Sequence, residues 1–351
     1  MGTDLVFHDI FTKHIMSKGH PERPERLTAS LDYVTKSGLL SGSKIHLIEP
    51  KPAIIEEITP LHDENYLNLI KSKSAAGGGF FTLDTAVNKY TYDAAIMAAG
   101  GGILAVDRII EKKTENAYLL CRPPGHHAEF NRALGFCFIN SIAVAAHHLH
   151  DKHELQRVLI LDYDAHHGNG TQNAFYSTNH VLYVGMHQDG RTLFPGTGFP
   201  NEIGTGKGKG YNVNISMYPG AGDKSYRLAF QEVIIPLCIS YKPEFILVSA
   251  GYDGHFDDPL TSLGLTTSGY AMMNSFLHSL AEEHCDGRIA VFLEGGYNLD
   301  TVAKGTRNLL EELSGSPITR FKDTHTESET CTENNKALFD QLKANLKGVH
   351  F

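Results

Sequence analysis

Long apolar runs are missing from this chain. No stretch reaches the roughly 18 residues a membrane span needs, which excludes an integral helical membrane protein. Dense Lys/Arg runs are missing too, and the formal net charge is -9. Tight, sequence-independent binding to nucleic acid needs a basic footprint, so that class is excluded. The N-terminal stretch MGTDLVFHDI lacks the basic, apolar and small-residue regions of a secretory signal. Val6 stands where a myristoylation signal needs Ser or Thr, so Gly2 is not read as a lipid acceptor. Cysteine is sparse, with five residues (Cys121, Cys137, Cys238, Cys285, Cys331) far apart and no CxxC pair. That excludes a disulfide framework and points to a reducing, cytoplasmic compartment. No internal repeat of fixed period is found. The GTGKGKG run within 202–210 does not fit GxxxxGK[ST], so it reads as a surface loop rather than a phosphate loop.

What is present is an alternation. The chain has 351 residues, 41% apolar and 20% charged, ordinary for a soluble globular protein. Short apolar, β-rich runs fall at 5–8, 117–121, 158–163, 181–186, 212–216, 245–249 and 289–293. Helical patterns fall at 26–37, 64–73, 92–111, 140–149, 223–238, 268–283 and 299–313. VLILD, FILVSA and IAVFLE are apolar on both faces, the mark of buried parallel strands. Such alternation predicts a parallel sheet covered by helices on both sides. Gly77–79 reads as a loop, and Gly100–102 as a flexible or closely packed point in a helix. Residues 314–335 read as a polar connector and 336–346 as a closing helix, giving one domain over 1–351 with its core at about 4–313.

In parallel sheets ligands sit beyond the carboxyl ends of the strands, so the polar residues following each strand matter most. VLILD runs into Asp162, Asp164, His166 and His167. Alternate side chains of a strand share a face, so Asp162, Asp164 and His166 point one way if the extended conformation continues. FILVSA runs into Asp253, then Asp257 and Asp258. The 117–121 strand leads through Arg122-Pro-Pro-Gly125 to His126 and His127, and the last strand into Glu294-Gly-Gly-Tyr297. Asp164, His166 and Asp253 are the expected ligands of a three-ligand metal site with an open position, the catalytic form of a zinc centre. Two carboxylates and one imidazole suit zinc or iron(II). The plainer alternatives are a helix cap for DxDxHH and a turn with an aromatic lid for Tyr297.

Five segments in this order carry a resemblance: RPPGHHAEFNRALGFCFIN, LDYDAHHGNGTQNAFY, LFPGTG, SAGYDGHFDDPLTSLGLT and LEGGYNL. They resemble the motifs of zinc-dependent histone deacetylases, from about residue 7 to 310. The pattern is nearest class II, which shares its architecture with deacetylase-like amidohydrolases and acetylpolyamine amidohydrolases. The resemblance implies the three-layer arginase/deacetylase fold, α/β with a central, mainly parallel eight-stranded sheet. It implies zinc on Asp164, His166 and Asp253. His127 is implied as general base and acid, with His126, near Asp162, as its electrostatic partner and Tyr297 as donor to the oxyanion. Phe136, Phe194, Gly135 and Leu260 are implied to line the acyl-lysine tunnel. Arg26, in HPERPERL, is implied beside the acetate-release channel. Structural K+ or Na+ ions are implied at Asp162, Asp164 and His166, and at Phe175, Thr178, Val181 and Tyr211.

Two positions qualify the match. Asn169 stands where class I enzymes carry an aspartate. Leu260 stands where polyamine-directed relatives place a glutamate, which favours an acetylated protein or peptide over a small acetylated amine. Tyr297 separates the chain from the weakly active class IIa group. A dinuclear manganese ureohydrolase and a non-catalytic acyl-lysine-binding module are the rival readings. The 202–210 loop and the N-terminal segment offer surfaces for a homo-oligomer.

Overall fold

The computed structural model describes residues 2–323 and 325–351. Among the described residues ten strands form: β1 (Thr3–Val6), β2 (Ile45–Ile48), β3 (Gly78–Phe80), β4 (Ala86–Asn88), β5 (Asn116–Leu119), β6 (Val158–Asp162), β7 (Val181–Gln188), β8 (Asn212–Met217), β9 (Phe245–Ala250) and β10 (Ile289–Leu293). Eight make one sheet in the order β2-β1-β5-β10-β9-β6-β7-β8. Every pairing within it is parallel. The strands expected from two-sided apolar runs are fully buried, as covering helices require. The fold is the predicted α/β eight-stranded one.

Several boundaries differ from expectation, each for a physical reason. β2 escapes the sequence reading because IHLI is an edge strand with His46 and Leu47 exposed. Gly77–79 is not wholly a loop, since Gly78–Phe80 pairs antiparallel with Ala86–Asn88. The helix expected over 223–238 is two α-helices, Asp223–Ala229 and Ile235–Tyr241, joined by a π-type turn over Phe230–Ile234. The closing helix begins earlier, at Glu329, because Ser328 caps it by accepting from the Cys331 N–H. It buries Phe339 and Leu342 against the main core.

Gly100–102 proves closely packed rather than flexible. A Cβ on Gly100 would stand 1.9 Å from the Lys51 carbonyl oxygen, and one on Gly102 would stand 2.7 Å from the Phe292 ring. Helix Thr91–Ile110 thus lies tightly on β10, where a side chain would not fit. The 202–210 segment is exposed at Thr205–Lys207, but Gly208 and Gly210 are buried. All five cysteines are buried and free. Among the described residues no helix is long and apolar enough to cross a membrane.

Candidate active site

Four neighbouring strands, β5, β10, β9 and β6, deliver the candidate residues from their carboxyl ends. After β6 the chain does not stay extended. The Asp162 carboxylate accepts from the Asp164 N–H (3.1 Å), and the Asp164 carboxylate accepts from the His166 N–H (2.9 Å). These turns separate side chains expected to share one face. Asp162 faces His126 Nδ1 at 3.0 Å, whereas Asp164 and His166 join Asp253.

The donor atoms of Asp164, His166 and Asp253 lie within 4.8 Å of one another. His166 Nδ1 is 3.2 Å from Asp164 and 2.8 Å from Asp253. Backbone donors hold the carboxylates: Gly295 N–H to Asp164 (2.7 Å) and Ala165 N–H to Asp253 (2.9 Å). Burial works against a charge on His166, yet the two carboxylates outweigh it and raise its pKa to about 10. A field of that sign holds positive charge at the strand ends, and a divalent ion answers the same demand. Two carboxylates, one imidazole and an open side fit a metal ion of the zinc or iron(II) kind.

The paired histidines sit over this cluster, their rings 4.0 Å apart. His127 Nδ1 is 2.7 Å from the Asn169 side-chain oxygen. The Asn169 amide is itself oriented, because its nitrogen donates to Glu129 at 2.8 Å. His127 Nδ1 therefore carries the proton and Nε2 keeps its lone pair, an assignment made from the network. Burial, then the neighbouring His126 and His166, hold the His127 pKa well below the ordinary imidazole range. For His126 burial is outweighed by Asp164, Asp162 and Glu294, and its pKa rises to about 10.

Tyr297 is 8% exposed, and burial pushes its phenol well above the usual range, so it stays a proton donor. Its loop is held from two sides. Asp258 accepts from the Tyr297 N–H at 2.7 Å. Arg26, fully buried, donates Nε to the Gly296 carbonyl (2.6 Å) and Nη2 to that of Glu294. Its guanidinium lies 5.2 Å from the Tyr297 ring centre. Glu22 joins Arg26 to Arg122, which it grips through both carboxylate oxygens. The buried triad thereby ties the His126–His127 loop to the Tyr297 loop.

A cavity of about 220 Å³ leads to these groups, lined by His127, Gly135, Phe136, His166, Phe194, Leu260 and Tyr297, with Asp84 and Leu193. Phe136 stands edge-on to Tyr297 (5.9 Å) and Phe194 edge-on to His127 (5.1 Å). Gly135 cannot be larger, since its φ is +52° and a Cβ would meet the His127 ring at 2.3 Å. Phe175, Thr178 and Val181 lie along the turn into β7, and Tyr211 just precedes β8. The Phe175 and Tyr211 carbonyls already accept from the Thr178 and Tyr183 N–H groups.

Sequence reasoning gave no role to Glu22, Asp84, Glu129, Asp258 or Glu294. Four of them lie inside quoted motifs, but their partners are remote: Glu294 accepts from the Gly125 N–H (2.7 Å), 169 residues away.

Comparison with known proteins defines the class this geometry belongs to, the amide hydrolases of deacetylase type. Residues 20–313 match the histone deacetylase domain, and the chain belongs to the histone deacetylase family. It is 40% identical over 324 residues to a "probable deacetylase" of Archaeoglobus fulgidus, covering 92% of this chain and 89% of that one. It is 38% identical to the "histone deacetylase-like amidohydrolase" of Pseudomonas aeruginosa, covering 85% of this chain and 77% of that one. The crystal structure of the HDA15 HD domain superposes with a TM-score of 0.88 at 33% identity, over 98% of this chain and 94% of that one. Membership places the chain among the hydrolases that act on amide bonds.

Proposed function

We propose that the chain hydrolyses N-acetyl-lysine in proteins or peptides to lysine and acetate, with one zinc ion held by Asp164, His166 and Asp253. The observation that carries this reading is that Asp164, His166 and Asp253 bring their donor atoms together and that His166 lines one narrow cavity with His127 and Tyr297. Iron(II) is the alternative occupant of the same donors. When bound, the ion polarises the acetyl carbonyl and makes water a usable nucleophile near neutral pH.

The chain's own residues do the rest. The apolar stem of acyl-lysine passes Phe136, Phe194, Gly135 and Leu260, which strip it of water. His127 Nε2 takes a proton from the attacking water, while Asn169 holds the tautomer at Nδ1. His126, paired with Asp162, supplies local positive charge and position. The Tyr297 hydroxyl donates to the oxygen that becomes anionic. His127 then returns its proton to the leaving amine. Acetate leaves beside Arg26, and K+ or Na+ serves a structural role at Asp162, Asp164 and His166 and at Phe175, Thr178, Val181 and Tyr211. We assign the protein to the cytoplasm, a reading supported by five buried, unpaired cysteines.

A second reading, a small acetylated polyamine as substrate, is favoured by one observation: Asp84, an exposed carboxylate, lines the same cavity. Acetate release from an acetyl-lysine peptide, acetylputrescine and acetylspermidine separates the two. Faster peptide turnover supports the first reading, and faster polyamine turnover the second. Leu260→Glu is expected to raise kcat/KM for acetylspermidine relative to the peptide by on the order of tenfold at low salt, since a carboxylate within a few ångströms of a cation is worth about 1–4 kcal/mol. An unchanged ratio removes Leu260 from the selectivity argument.

A further inference from the structure

The chain carries a second convergence of imidazole and carboxylate groups that the hydrolysis does not use. His148 Nε2 lies 2.8 Å from Asp107 Oδ1, and His153 Nε2 lies 2.6 Å from the same oxygen. The donor atoms of all three residues lie within 4.8 Å of one another. We propose that Asp107, His148 and His153 form a second metal site, for a zinc-type divalent cation, at the end of the sheet remote from the catalytic centre.

The backbone that presents these groups is fixed. Asp107 lies in the last turn of helix Thr91–Ile110, and His148 near the end of helix Ser141–Asp151, which packs against it. His153 would diverge if the second helix continued, but the helix stops at Asp151. Glu154 takes a left-handed φ of +59°, and the Leu155 N–H returns to the Leu149 carbonyl at 3.1 Å. His150 Nδ1 donates to the Leu155 carbonyl at 2.9 Å and secures the turn from the other side. The chain folds back, and His153 comes beside His148 with the rings 5.3 Å apart.

The site is open to an ion. The side chains of His148, His153 and Asp107 are 14%, 19% and 33% exposed. Zinc bonds of about 2.0–2.2 Å put tetrahedral ligand atoms roughly 3.3 Å apart. The present spacings to Asp107 of 2.8 and 2.6 Å ask for an opening of roughly 0.5–0.7 Å, which partly exposed side chains can make. Two imidazoles and one carboxylate prefer Zn²⁺, Cu²⁺, Ni²⁺ or Co²⁺ over Ca²⁺ or Mg²⁺, with water completing the shell. Each Nε2 must give up its hydrogen on binding, by moving it to Nδ1 or losing it to solvent, so the ion competes with protons for these nitrogens. The position is separate from the chemistry. β6 starts at Val158, shortly after His153, and only its far end carries Asp162 and the ligand cluster. An ion here would staple two helix ends together.

The test is a zinc titration of the metal-stripped full chain by equilibrium dialysis, on wild type and two double variants. Wild type is expected to bind one equivalent more than His148→Gln/His153→Gln, whose rate of acetate release with zinc is unchanged. Equal stoichiometry in these two proteins overturns the proposal. Asp164→Asn/Asp253→Asn is expected to keep the second equivalent. If that variant binds as much as wild type, the catalytic-centre reading fails and this one stands. Anomalous diffraction at the zinc edge from wild-type crystals guards against a misfolded variant. A peak between the three side chains supports the site, and its absence beside a peak at Asp253 overturns it.

Discussion

Replacing His127 by alanine is expected to lower turnover by about 10²–10⁴, the usual worth of a positioned general base. The reason is geometric. Nδ1 is committed to Asn169, so Nε2 is the nitrogen that faces proton transfer. Burial and two neighbouring imidazoles hold the His127 pKa well below the ordinary range. A lowered pKa leaves the ring unprotonated as pH falls, so the acid limb of kcat/KM is expected below the usual histidine value near 6.5. His126→Ala should cost less than His127→Ala, because His126 spends Nδ1 on Asp162 and acts through its charge. A larger loss in His126→Ala, measured as steady-state acetate release, reverses the assignment of base and partner.

Tyr297→Phe is expected to lose about 10²–10³ in kcat with little change in KM. A single preorganised donor to an oxyanion is worth about 3–4 kcal/mol, and that interaction grows only as charge develops. The phenyl ring should still pack against Phe136 and under the Arg26 guanidinium, so the fold and the cavity persist. The preorganisation comes from the loop. Asp258 holds the Tyr297 N–H, and Arg26 holds the carbonyls on either side of Gly295. Wild-type turnover in Tyr297→Phe contradicts the donor role outright.

Both predictions rest on features read from the chain with unequal ease. The central strands were legible because VLILD, FILVSA and IAVFLE are apolar on both faces, a signature that only a doubly covered strand produces. The candidate ligands were legible because a parallel sheet gathers whatever follows its strands. The edge strand β2 was not, since half of IHLI faces solvent. Nor was the turn after β6, which sends Asp162 to His126 and Asp164 to the ligand cluster. Alternation along a strand stops predicting direction where the strand ends. The supporting carboxylates were the least legible. Glu22, Glu129, Asp258 and Glu294 are ordinary acidic residues in sequence, and only the assembled fold brings their partners from as far as 169 residues away.

Those carboxylates also show how the site is built. Glu294 is buried, which lifts its pKa to about 7, while it accepts from the backbone of Gly125 and His126. Asp258 is likewise raised to about 7 by burial and by the nearby Asp253. The acidic charge at the strand ends is thus layered. Asp164 and Asp253 flank His166, and Asp258 and Glu294 brace the loops that carry Tyr297 and the histidine pair.

The central claim is that a metal held by Asp164, His166 and Asp253 makes this chain a deacetylase. The most direct measurement is acetate release from an acetyl-lysine peptide by chelator-stripped protein, before and after zinc is restored, with Asp253→Ala treated in parallel. The account predicts no release from the stripped protein, recovery on adding zinc, and no recovery in Asp253→Ala. Equal release with and without metal, or full recovery in Asp253→Ala, contradicts it.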